Sequence, residues 1–276
     1  MMTIISGVGL LLLTLAVFSI FSLKFPKGSQ AMSGMANAAV ASFLIEAVHK
    51  YITGDLLGIA FLGEVGATAG SLGGVAAGIM VPLSMGVNPV FAVVGGLACG
   101  GYGILPGFIA GYIVGLIAPY IEKYLPTGLD IILGSLTIAP MARLFALVVD
   151  PAVNSILGMI GGTITAAADQ SPVIMGFLLG GIMKMICTSP LSSMALTAML
   201  GLTGLPMGIA AIACFGGSFT NGMVFHKMGY GDKSNIIAVM LEPLTQAHIV
   251  TAHPIPIFVS NFFGGGLAGL AAAMLG

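Results

Sequence analysis

Apolar residues fill this chain in long unbroken runs, and polar residues fall mostly between the runs rather than alternating within them. The first run, TIISGVGLLLLTLAVFSIFSL at 3–23, is as long as the ~20 residues a helix needs to cross a bilayer core. It has neither the basic start nor the small-residue cleavage site of a secretion signal, so it is read as a membrane helix. KFPKG at 24–28 follows, then a small-residue helix to about Tyr51 with Glu46, His49 and Lys50 near its end. Further apolar runs lie at roughly 56–86, 89–105, 107–121, 128–149, 151–168, 172–189, 191–203, 205–225, 235–252 and 255–275. The pattern predicts about ten crossings, with one or two segments too short or too broken to cross alone. Strands of an outer-membrane barrel would alternate every second residue, and these runs do not. The expected fold is an all-α integral membrane protein, a single polytopic domain over 1–276 with short loops and broken, re-entrant elements.

Composition narrows the function classes. Of 276 residues, 58% are hydrophobic and 6% charged, against about 25% charged in a soluble domain, so a water-soluble globule is excluded. The net charge of −1 and the lack of any basic cluster exclude a nucleic-acid partner. The runs GSLGGVAAG (70–78) and GFIAGYIVG (107–115) set glycines four residues apart, a spacing that lets helices approach closely. Cys99, Cys187 and Cys214 have no CxxC or Cys/His spacing, so they are expected to be small core hydrophobes; no metal site and no cofactor is expected. GG, PLS, P, AC and GG recur in the same order from 73 to 101 and from 180 to 217. This echo suggests an internal repeat of the kind transporters carry, with chance similarity between Gly-rich helices as the alternative.

One stretch breaks the pattern. EPLTQAHIVTAHPIP at 242–256 gathers Glu242, Thr245, Gln246, His248 and His253 between Pro243, Pro254 and Pro256. An unsatisfied polar group in hydrocarbon costs several kcal/mol, so such residues normally face a bundle interior or a wet cavity. Proline removes a backbone donor, and irregular backbone survives at membrane depth only where it lines a cavity or is buried in protein. A helical fragment here would bring carboxylate, amide, hydroxyl and imidazole within reach of one another, a set that suits a polyol. The competing reading is a polar loop at the membrane surface. Asp169, in TITAAADQSPVIM, is a helix cap or a ligand, and Asn221, in GGSFTNGM, is a ligand or a packing amide. Arg143 is expected against a carboxylate, with Asp150 and Glu46 as candidates, or against backbone carbonyls. Glu64 is expected either as that partner of Arg143, a structural role, or as a gating group, and Lys184 is expected to snorkel.

These residues carry a resemblance. AADQSPVIMGFLLGG, YLPTGLDIILGSLTIAP and LEPLTQAHIVTAHPIPIFVSN resemble the membrane subunit IIC of the bacterial sugar phosphotransferase system, in its fructose-related branch. More narrowly, residues 30–276 resemble a stand-alone IIC-like group that includes perfringolysin O regulators. The resemblance implies a dimeric, multi-pass transporter of the bacterial inner membrane, with a sugar held by a hairpin Glu and nearby His and Asn. Glu242 would match the hairpin Glu region and Pro254 or Pro256 the hairpin proline, although the family's Thr-Glu-Gly triplet is absent. No IIA or IIB module is expected with it, so phosphocarriers are expected to act in trans, or phosphorylation is not expected at all; no catalytic residue is assigned in this chain. Two functions stay open: a transporter of a sugar or polyol with Glu242, Thr245, Gln246, His248, His253, Asp169 and Asn221 as binding residues, and a membrane sensor that keeps the fold and binds a solute to signal.

Overall fold

The computed structural model describes residues 2–126, 129–168, 170–191 and 204–275. Among them every regular element is helical: α1 (Met2–Lys24), α2 (Gly28–Ala39), two π-helical stretches (Val40–Leu44 and Glu46–Leu56), α3 (Ala60–Ser71), α4 (Gly73–Ser84), α5 (Pro89–Ala98), α6 (Ile104–Tyr124), α7 (Asp130–Ala168), α8 (Pro172–Cys187), α9 (Gly204–Met228), α10 (Lys233–Leu241), a 3-10 turn (Pro243–Gln246), α11 (Ala247–Ala252) and α12 (Pro254–Leu275). Local chemistry sets several ends. Asn88 caps α5 by accepting from the Val90 N–H at 2.9 Å, with Pro89 in the first helical position where a missing donor costs nothing. Asp232 and Asn235 form a reciprocal capping box at the start of α10.

Six described helices are long and apolar enough to cross a membrane, and seven if α3 and α4, bent by 59° at their junction, count as one span. The hydropathy pattern predicts about ten. Part of the difference is in α7: the expected spans 128–149 and 151–168 are one helix of 39 residues that runs through Pro140 and Pro151. Proline there removes one hydrogen bond without ending the helix, because apolar helix-forming sequence continues on both sides. The run at 89–105 yields only the ten residues of α5, the run at 235–252 is broken into three pieces, and 192–203 lie outside the described residues. Large apolar side chains remain exposed along the helices, among them Leu13 at 62% and Leu56 at 76%. Such a surface is unfavourable in water and expected against lipid.

Contacts divide the chain into two compact units, residues 26–154 and residues 1–25 with 155–276, so the first is inserted within the second and the division falls inside α7. The inserted unit has a core of Val87, Phe91, Cys99, Ala110, Val114, Ala118, Ile138, Ala142 and Ala146. Arg143 sits beside it, donating to the carbonyls of Ala98 (3.2 Å) and Gly100 (2.6 Å) and lying 4.4 Å from the Tyr102 ring centroid. Its partners are therefore the free carbonyls at the end of α5 rather than a carboxylate. Asp150 pairs instead with Asn154, and Glu46 with Lys50. Glu64 lines an open pocket of about 500 Å³ with Lys50 and Asp55. The two copies of the sequence echo fall in different settings: ACGG at 98–101 ends α5 and turns, whereas ACFGG at 213–217 lies within α9.

In the other unit α8 lies against α12 through a glycine seam. A Cβ on Gly269 would strike the carbonyl of Gly176 and the Cα of Gly180; one on Gly265 would strike the carbonyl of Gly180 and the side chain of Lys184. Two backbones thus meet where larger residues would hold them apart.

Candidate functional site

The site grows out of that seam. Lys184 occupies the end of the glycine series on α8 and is completely buried. Its aliphatic stem lies in a slot between Gly217 of α9 and Gly265 of α12, since a Cβ at either position would overlap it. The pairs GG at 216–217 and GGG at 264–266 therefore make room for a long side chain as well as for close helix contact. The ammonium at its tip donates to the Cys214 carbonyl (3.2 Å) and to Ser218 Oγ (3.4 Å). One turn on, Thr188 Oγ1 accepts from Asn221 Nδ2 at 3.2 Å. Cys214, Ser218 and Asn221 recur every three to four residues, so α9 presents one polar stripe to α8. The expectation that Lys184 snorkels is overturned: the slot holds it inside, away from any surface its head could reach.

Asn261 completes the set by register. Gly269 lies between Gly176 and Gly180, and Gly265 between Gly180 and Lys184; the same four-residue step puts Asn261 between Lys184 and Thr188. Asn261 is fully buried, and neither its amide nitrogen nor its carbonyl oxygen has a partner. Asn221 Oδ1 and His248 Nδ1 are likewise buried and unpaired. These are the four such side-chain atoms among the described residues, and they lie within one unit. Each costs about 1–3 kcal/mol if nothing fills it.

The stretch at 242–256 borders this cluster. Helix α10 stops at Glu242, whose backbone is extended (φ −148°, ψ 102°) ahead of Pro243, as the residue before a proline prefers. Its carboxylate accepts from the Leu244 N–H at 3.3 Å. Thr245 donates to the Glu242 carbonyl at 2.7 Å, tightening the turn. Gln246 is buried, but its oxygen accepts from Asn235 Nδ2 at 2.8 Å and its nitrogen reaches Thr245 Oγ1 at 3.3 Å. The two residues expected to share a helical face thus diverge, because the turn is 3-10 and not α: the Glu242 carboxylate folds back onto the Leu244 N–H, and Gln246 reaches Asn235. A second break precedes Pro254. There His253 is exposed and stacks on Tyr230, ring centroids 4.1 Å apart and planes 11° apart. Asp169 lies outside the described residues.

Of the residues named from the sequence, the structure brings Glu242 and Asn221 to the neighbourhood of Lys184, gives His248 a free buried nitrogen, and engages Thr245, Gln246 and His253 in local contacts. Sequence reasoning does not single out Lys184, Thr188 or Asn261 as site residues. Asn261 carries a signal that could have found it: it falls four residues before Gly265 in an apolar helix, where an amide has no local reason to be. The cysteines are also corrected. Cys187 and Cys214 form a disulfide across the α8–α9 seam, while Cys99 is free and buried. Their separation of 27 residues matches no motif, and only the helix packing brings their Cα atoms to 6.4 Å.

A sequence profile for the family described as "Phosphotransferase system, EIIC" matches residues 29–276. Comparison with curated proteins and with solved structures returns no significant match.

Proposed function

The chain belongs to the EIIC family of the phosphotransferase system, and from that premise we propose that it carries a sugar or related polyol across the bacterial cytoplasmic membrane by alternating access. One observation carries the reading: four buried, unpaired polar atoms on Asn221, His248 and Asn261, both donor and acceptor in kind, where the described Ser and Thr hydroxyls of the interior are mostly bonded to backbone carbonyls. A hydroxyl both donates and accepts, so a polyhydroxylated solute can satisfy this mixture where an apolar ligand would leave it unpaired. Glu242 would take hydroxyl protons and Asn221, Asn261 and His248 would fix orientation, while Thr245 and Gln246 brace the turn that presents Glu242. Leu241 and Ile255, which flank the broken stretch, are 77% and 76% exposed. Their exposure favours a re-entrant element at membrane depth over a loop in water.

The finer affiliation is the fructose-related branch and its stand-alone IIC-like group. The carrier would work as a homodimer, with phosphocarrier proteins supplied in trans. Radiolabelled uptake into membrane vesicles, with and without those carriers, tests the reading. Saturable uptake of at least one sugar or polyol is expected, and its loss in Glu242→Ala. Saturable binding with no flux under either condition would assign the fold to a sensor instead. Cross-linking in native membranes should trap dimers, and exclusive recovery of monomer would remove that part of the proposal.

A further inference from the structure

We propose that the cleft between α1 and α12 is a binding site for one acyl chain of a membrane phospholipid. The proposal is independent of the solute reading above. A cavity of about 400 Å³ opens between these helices, and every side chain lining it is apolar. Leu15 of α1, Met185 of α8 and Phe258 of α12 form a buried floor, while Leu12, Ile255 and Phe263 form an exposed rim. Helix α1 rests more on the short helix α11 than on α12, so the two long helices part here.

Depth decides what can reach the cleft. On α1 the lining runs from Val8 to Ala16. At 1.5 Å per residue these lie about 9 Å from Met2 and about 12 Å from Lys24, the ends of the helix. That is inside the ~30 Å hydrocarbon layer that a spanning helix crosses. Water fails as an occupant, because it needs about two to four polar partners and the lining side chains offer none. A sugar or polyol would give up its hydrogen bonds for no return. A helix of a second copy, about 10–12 Å across, would cover the rim and leave the floor empty, since the volume lies at the low end of the about 300–1,000 Å³ of ligand pockets. A lipid chain is slender, apolar and abundant at that depth. The rim also continues into the lipid-facing surface, where Leu13 beside Leu12 and Leu267 one turn beyond Phe263 are exposed.

Lipid tails are as apolar as the cleft, so retention comes from shape and dispersion contacts rather than from leaving water. The wall is firm: Phe262 meets Phe263 and Phe177 edge-on, at 5.6 and 5.7 Å. Met185 follows Lys184 and Phe262 follows Asn261, so a bound chain would touch the residues next to the polar cluster and steady the α8–α12 seam.

The chain contains no tryptophan, so a single introduced one reports on its own surroundings. Phe263→Trp places it on the rim, and Leu13→Trp places it on open lipid-facing surface as the control. Each full-length variant is purified in detergent, given a phospholipid brominated on its acyl chains at a low ratio of lipid to protein, and read by fluorescence quenching. Phe263→Trp should be quenched several-fold more strongly than Leu13→Trp, and excess unbrominated phospholipid should reverse the quenching. Ala16→Phe fills the cleft and should bring the Phe263→Trp protein down to the level of the control; Leu12→Phe is a second filling variant if the first does not fold. Added phospholipid should raise the melting temperature of the parent by several degrees and that of the filled variant by much less. Equal quenching of the two reporters, or quenching that survives both filling substitutions, would overturn the site. Absence of quenching of Phe263→Trp in bilayers made wholly of brominated lipid would overturn it too, and assign the rim to a second copy of the chain.

Discussion

The two units treat polar groups in opposite ways. In the inserted unit, 26–154, polar groups find partners whether exposed or buried: exposed Arg143 sits on the carbonyls that end α5, exposed Lys27 donates to the Met85 carbonyl at 2.6 Å, buried Tyr112 donates to the Pro26 carbonyl at 2.8 Å, and Lys50 pairs with Glu46. The other unit contains all four buried side-chain atoms without partners among the described residues, together with a buried Lys184 whose hydrogen-bond partners are the Cys214 carbonyl and Ser218 Oγ. A fold that wanted only stability would have filled those positions with leucine, because an unpaired polar atom in an apolar interior is a net cost. On the proposed function, the inserted unit is satisfied scaffold and the other is the unit that a ligand would complete.

The largest effect expected from this contrast comes from closing the slot. Gly265→Leu would drive a side chain into the Gly180 carbonyl and the Lys184 stem. Backbone cannot yield as a side-chain tip does, so the loss should reach about 3 kcal/mol or more, with solute binding abolished. A variant that melts like the parent and still binds would show that the seam does not shape the site. A paired measurement comes next in size and has opposite signs in the two units. Asn261→Leu replaces an unpaired amide by an apolar group of similar shape and should raise stability by about 1 kcal/mol while lowering solute affinity about tenfold or more. Arg143→Met removes two charge-assisted hydrogen bonds and should cost about 1–2 kcal/mol while leaving affinity unchanged. Equal loss of stability in both variants would mean that Asn261 is satisfied in the folded protein and the units do not differ.

How far the sequence discloses this depends on the kind of signal. Helical class, membrane placement and the backbone break at Glu242 are legible, because hydropathy and a carboxylate next to proline are local features. Lys184 and Asn261 are not, although both stand in plain sight within apolar runs. Their meaning comes from a register between α8 and α12 and from a slot that glycines on two other helices leave open, and neither is written within one segment. The same holds for Cys187 and Cys214, paired only by the packing of α8 on α9. The merging of 128–149 and 151–168 into α7 has a different cause: Pro151 reads as a boundary along the chain, yet the flanking sequence is strong enough to carry the helix through it. Gln246 shows the limit of spacing arguments, since one 3-10 turn redirects it from Glu242 to Asn235.

The smallest expected effect probes where the site ends. His253 belongs to the binding residues expected from sequence, yet its ring is exposed and stacked on Tyr230, which itself meets Phe225 edge-on at 5.9 Å. Gly229 and Gly231, with φ of 69° and 73°, turn the chain on either side of Tyr230 and set it beside His253. The stack therefore ties the loop after α9 to the second break before α12, a contact between two backbone irregularities within the same unit. His253→Ala should remove a ring pair worth about 0.5–1.5 kcal/mol, lower the melting temperature slightly and leave solute affinity as it was. His253→Phe keeps the stack without the imidazole and should restore the stability. If affinity falls in both variants while stability recovers in the second, the imidazole itself contacts the solute, and the binding region extends beyond the Lys184 cluster to the exposed end of the broken segment.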